Sequence, residues 1–122
     1  MNKVKEQMEK RSILNQIRFN SLSGNKEGFF YCYMSETWNH INKKFLVWYK
    51  LRKAGYEVWT EPIFDTGIRF DILAFKDGIW TGYEILETET DKELSEKIKK
   101  YPSEVTIIKI KTQKDIDNLE LI

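Results

Sequence analysis

The sequence predicts an α/β domain, a mixed β-sheet of about four to five strands flanked by helices. Three observations lead there. Two β-prone runs, residues 67–75 and 79–87, flank Asp77-Gly78, a dipeptide suited to a type I′ turn because both positions must tolerate φ > 0. A long apolar-rich helical segment precedes them and ends at Ala54-Gly55. Beyond them, Val105, Ile107, Ile108 and Ile110 mark a buried strand entered from a helix that stops at Pro102.

The elements follow in order. Residues 2 to 20 read as a weakly amphipathic helix with Val4, Met8, Leu14 and Ile17 as apolar positions. Residues 20–28 are rich in Ser, Asn and Gly and read as a loop. Phe29 to Met34 is a short aromatic run, compatible with a strand or a packed connector. Ser35 fits an N-cap, and the helix it opens runs to Ala54 with Gly55 at C′. Its apolar residues, among them Trp38, Phe45, Val47 and Leu51, cover most of its circumference and predict deep burial. Tyr56 to Glu61 reads as a strand that Pro62 ends. The hairpin follows, then a helix from Asp91 to Tyr101, the last strand at 104–111 and a short tail helix within 115–122. The organisation is a terminal helix and loop, 1–28, joined to an α/β domain, 29–122, in one compact unit.

Composition narrows the function. The chain has 122 residues, 41% hydrophobic and 32% charged, with a net charge of +1, so any polyanion site must be a local patch. One cysteine, Cys32, and one histidine, His40, exclude a disulfide framework and a Cys/His zinc cluster. The lone thiol, the lack of a long apolar run and the polar first residues lead to the expectation of a cytoplasmic protein with no membrane partner. Charge is clustered: Ile41 to Tyr56 holds five cations and no acid, and Glu84 to Glu96 holds six acids against Lys92. An acidic strand end between basic helices suits a metal beside a phosphate, although charge runs commonly mark solvated faces.

The hairpin supplies the chemistry. If the loop is Asp77-Gly78 alone, Lys76 pairs with Ile79, and Asp71 falls opposite Glu84 on the face that also carries Leu73, Phe75 and Trp80. Like charges directly across a sheet are destabilising. Beside apolar neighbours they need a neutralising cation, and Mg²⁺ or Mn²⁺ suits two carboxylates plus waters. The bland alternative is an acid pair at an exposed edge, matched by nearby Lys or Arg. His40, a lone histidine on a buried helix, reads as structural.

The order of helix, glycine, strand ending in Glu61, Gly67-Ile68-Arg69-Phe70-Asp71, Glu84 on the next strand and Lys97-Ile98-Lys99-Lys100-Tyr101 on a later helix resembles the PD-(D/E)XK, or restriction-endonuclease-like, nuclease superfamily. The resemblance spans roughly Ser35 to Ile110. It implies a restriction-endonuclease-like core and a metal-dependent nuclease hydrolysing phosphodiester bonds with Mg²⁺ or Mn²⁺. Asp71, Glu84 and the adjoining Ile85 would form the metal set, with Glu36 or Glu61 as auxiliary acid. Phe70 stands where the family has proline, and Leu86 where it has lysine. Leucine can neither orient nor activate water, so a cation would have to come from Arg69, Lys44 or Lys97. Lys43, Lys44, Lys50, Lys53 and Lys100 are candidate nucleic-acid contacts. The implied partner is nucleic acid, DNA first, and a homodimer is compatible with the fold. The alternative reading is a degenerate nuclease fold acting as a nucleic-acid-binding or protein-interaction module.

Overall fold

The computed structural model describes residues 2–18 and 26–122. Helix α1 spans Lys3–Leu14, followed by the two-residue strand β1, Ile17–Arg18. Helix α2 is Trp38–Lys53, then come β2, Glu57–Thr60, and β3, Ile63–Phe64. The hairpin is β4, Ile72–Lys76, and β5, Ile79–Ile85. Helix α3, Asp91–Ile98, strand β6, Val105–Ile110, and helix α4, Gln113–Asp117, complete the chain. Residues 19–25, the end of the predicted first helix and most of the predicted loop, lie outside the described residues.

Four strands form the main sheet in the order β2-β4-β5-β6. β2 and β5 run antiparallel to β4, and β6 runs parallel to β5. The sheet is therefore mixed and flanked by helices, the predicted class. The turn acts as its residues require. Asp77 and Gly78 sit at φ 51° and 81°, and Lys76 pairs with Ile79, the register expected of a two-residue loop.

That register sorts the strand residues onto two cores. Ile72, Ala74, Tyr83 and Ile85 face Val47 and Leu51 of α2 and Ile116 of α4. Leu73, Phe75 and Trp80 face the other way, against Trp59, Tyr101, and Ile13 and Ile17 of the N-terminal segment. Each fully buried large apolar side chain contributes roughly 1.5–3 kcal/mol. The N-terminal segment is thus packed into the core: Ile13 is fully buried, and the Trp80 indole donates to the Glu9 carbonyl.

Several boundaries and faces differ from expectation. Helix α2 is capped by Thr37, whose hydroxyl accepts from the His40 amide, rather than by Ser35. Trp38 is 77% exposed and Phe45 41% exposed, because the sheet covers only one side of α2 and leaves its apolar circumference open on the other. Residues 29–34 form a connector without regular structure, pinned where Thr60 Oγ1 accepts from Tyr31 N and donates to the Phe29 carbonyl. The small β1–β3 pair was not foreseen. Among the described residues, no helix is long and apolar enough to cross a membrane.

Candidate functional site

Buried ionisable groups gather at the end of the sheet away from the Asp77-Gly78 turn. Asp71 immediately precedes β4, and the ladder to β5 closes one residue later at Ile72–Tyr83. Asp71 and Glu84 thus follow in register without forming a ladder pair. The Asp71 carbonyl accepts from Glu61 N, and its Oδ2 accepts from Ile85 N at 2.7 Å. Its carboxylate is thereby fixed beside the residue that follows Glu84. The buried Ile85 side chain has no donor to offer, so only its main chain can take part.

Glu84 is completely buried on β5. Lys97 of α3 donates to its Oε2 at 3.1 Å, and the Tyr101 hydroxyl donates to its Oε1. Burial, then the charge of Asp71, pushes the Glu84 carboxyl up to about 8, against the opposing pull of Lys97 and Tyr101. Burial and the Glu84 charge raise the Tyr101 phenol. Burial works against the Lys97 ammonium, but Glu84 outweighs it and the pKa rises. Leu86 is buried and apolar.

A second group joins this one through Asp71. His40 Nε2 lies 3.4 Å from Asp71 Oδ1 and 3.3 Å from Glu36 Oε1. The hydrogen bond to Asp71 raises the His40 pKa despite the opposing effect of burial. Burial would raise the Asp71 carboxyl, but His40 and the Ile85 amide outweigh it and hold the carboxyl low. Lys44 is fully buried and lies 2.8 Å from Glu36 and 3.0 Å from Glu61. Burial raises Glu61, with Lys44 pulling the other way. Glu61 adopts φ 53°, a left-handed conformation costly for a side chain of this kind. Its carboxylate is thereby held against Lys44.

Arg69 departs from its expected place. Continued past Asp71, the hairpin register would set it opposite Leu86. Instead it makes an isolated bridge to Ile63, with Nε 3.8 Å from Glu61 and the guanidinium 5.3 Å from the Tyr33 ring centroid. Asp71, Glu84 and Lys97 therefore meet on one side, and Glu36, Glu61 and Arg69 on the other. His40 links the two, and Lys44 joins Glu36 to Glu61 within the second.

The predicted phosphate contacts divide. Lys44 is internal and cannot reach a polyanion. Lys43 and Lys50 donate to the carbonyls of Lys111 and Ile116, tying α2 to the end of the chain. Lys53 and Lys100 are exposed. The underrated residue was His40: its spacing of four from Glu36 and from Lys44 was the available signal, since such residues share a helix face.

Two donor sets deserve comparison for a divalent ion. Glu36, His40 and Glu61 each bring a ligand atom within 4.8 Å of the others, but Lys44 already neutralises that triad. Asp71 and Glu84 are hard oxygen donors, and one of them resists ionising beside the other. Hard divalent cations take oxygen donors of this kind, and here Lys97 and Tyr101 hold Glu84 while His40 lies against Asp71.

Comparison of the chain with family models, with curated proteins and with solved structures returns no match.

Proposed function

We propose that the protein is a metal-dependent phosphodiesterase acting on nucleic acid, DNA first, from a cytoplasmic location. The observation that carries the reading is the convergence of Asp71, Glu84 and Lys97 at one strand end. It supplies one fully buried and one part-buried carboxylate, and a cation from α3 where Leu86 supplies none. Asp71 and Glu84, with the Ile85 main chain, would hold Mg²⁺ or Mn²⁺. When bound, such an ion polarises the phosphate and lowers the pKa of an attacking water. Water attacks phosphorus as one P–O ester bond breaks, leaving a phosphomonoester and a hydroxyl that has taken up a proton.

The chain's own residues set the geometry of that step. Lys97 stays protonated, so it orients water or steadies the charge on phosphorus by donating, and does not act as the base. Tyr101 holds the Glu84 carboxylate in place, and His40 does the same for Asp71. The test is cleavage of labelled single-stranded and duplex DNA and RNA with Mn²⁺, alongside Mn²⁺ binding. Cleavage that Asp71→Asn abolishes, with Mn²⁺ affinity lowered at least tenfold, supports the reading. No cleavage of any substrate, with Mn²⁺ binding unchanged in Asp71→Asn, overturns it.

A second reading has its own support. Glu36, Glu61, Asp71 and Glu84 each lie within an ion-pair distance of a Lys or His, so internal cations can serve where a metal would. That favours a nucleic-acid-binding module without chemistry, whose binding is insensitive to chelator and falls with salt.

A further inference from the structure

The outer face of α2 carries a row of part-exposed aromatic side chains, of which Phe45 also packs against Phe30 and Trp48. Trp38 is 77% exposed, and Phe45 and Tyr49 follow it at 41% and 46%. Their spacings of seven and four place them along one side of the helix. The Phe45 and Tyr49 rings are stacked with centroids 6.1 Å apart. At 1.5 Å rise per residue, the row extends about 16 Å along the helix.

The helix that carries the row is basic, with Glu87 held by Thr37 at its near end and Glu27 by Arg52 at its far end, and with Lys44 buried. Helix α2 contains no acidic residue and five Lys or Arg. Lys53 lies 5.7 Å over the Tyr49 ring and is exposed at the far end. Arg52 is exposed too, with its charge shared with Glu27. At the near end, Trp38 opens the same helical turn that places His40 beside Asp71.

Exposed rings in sequence, backed by cations, match the requirements of unpaired bases, which stack on aromatic faces whatever their identity. A base-paired duplex hides those faces. We propose that the outer face of α2 binds single-stranded polynucleotide, stacking bases on Trp38, Phe45 and Tyr49 as the strand leaves the acid site. This rests on the phosphodiesterase reading for its direction, and stacking itself needs no catalysis.

Binding of a fluorescent dT12, an rU12 and a 12-base-pair duplex is measured by anisotropy on the full chain, in chelator and at low salt. Expected are binding of at least one single strand about tenfold tighter than the duplex, and about tenfold weakening by Trp38→Ala and by Tyr49→Ala. Trp38→Phe retains binding, and quenching of tryptophan fluorescence accompanies it in the parent protein. The dT12 and rU12 arms separate DNA from RNA. Equal affinity for duplex and single strand, or binding untouched by both alanine variants, overturns the proposal. So does a concentration-dependent dimer dissolved by Trp38→Ala without polynucleotide binding, which would make the row a contact between copies. Asp71→Asn separates the two readings: if it keeps strand binding and no cleavage is found in any form, the stacking face stands and the phosphodiesterase falls. Duplex cleavage unaffected by Trp38→Ala, with no strand preference, has the opposite meaning.

Discussion

The Lys97 ammonium lies 3.1 Å from Oε2 of Glu84, although the two residues belong to different elements of the fold. Helix α3 follows β5, with Leu94 fully buried and Ile98 packed against the core that holds Trp80 and Leu73. The turn ending at Ile98 therefore points Lys97 back to the strand end. A cation reaches Glu84 from the helix, where Leu86, just past the strand, has none to give.

Replacing Lys97 separates charge from structure. Lys97→Met leaves Glu84 with Tyr101 as a donor, and because Lys97 is 32% exposed the stability loss is small, about 1 kcal/mol. Phosphodiester cleavage is expected to fall about 10²-fold or more, while Mn²⁺ binding persists. Lys97→Arg retains part of the rate. Parallel chemical unfolding and single-turnover cleavage measure both quantities.

Stability should depend on pH with a definite sign. Glu84, raised to about 8, holds a proton in the folded state that the unfolded chain releases near 4.5. Folding is therefore favoured least by this group at high pH, and stability falls as pH rises from about 4.5 to 8. His40, raised from 6.5 by Asp71, acts in the same direction: its contribution is complete below 6.5 and is lost as pH passes its folded pKa. Asp71, held low, contributes above its unfolded value and loses that contribution only in strong acid. Thermal melts in chelator should give a higher Tm at pH 5.5 than at pH 8. Glu84→Gln should flatten the slope, and Mn²⁺ should raise Tm most at the alkaline end.

The sequence made local rules legible and hid those that depend on what covers a surface. Asp77-Gly78 dictated the hairpin register, and Gly55, at φ 88°, marked where α2 stops. Glu84 was readable as a site candidate from strand alternation, and Lys97 only through the resemblance to the nuclease superfamily. The burial of Lys44 was not, because one helix-face lysine looks like another until Glu36 and Glu61 arrive from different segments. Trp38 misled in the opposite direction: an aromatic on an apolar helix reads as core, yet the sheet covers only one flank of α2. The pairing of Ile17 with Phe64 is a contact distant in sequence between two-residue strands, too short to leave a periodic pattern.

Lys44 provides the sharpest test of the internal ion cluster. With no exposed surface and hydrogen bonds to both Glu36 and Glu61, it compensates two acids that are poorly solvated. Lys44→Met keeps the volume and removes the charge. Breaking such a buried pair costs about 3–5 kcal/mol, and urea unfolding near neutral pH should register that loss. Adding Glu61→Gln should recover part of it, because one of the two acids that Lys44 served is then removed. A loss below about 1 kcal/mol would mean that water reaches the cluster.

Gly82 links core packing to the acid site. A Cβ at this position would lie 2.6 Å from Cε1 and 2.8 Å from Cδ1 of Phe70, and 3.1 Å from Cδ1 of Ile107. Phe70 cannot easily yield, since it is fully buried and its ring lies 4.1 Å from that of Tyr101, centroid to centroid. Tyr101 in turn donates to Glu84. Gly82→Ala should therefore cost about 1–3 kcal/mol through overpacking. It should also displace the phenol from Glu84, so that the carboxyl loses a donor that favours its ionised form. The expected signature is a lowered unfolding midpoint together with Mn²⁺ affinity that weakens more at pH 7 than at pH 9. Adding Phe70→Leu, which opens space beside the new methyl, should restore part of the stability without restoring a lysine or any other charge to the site.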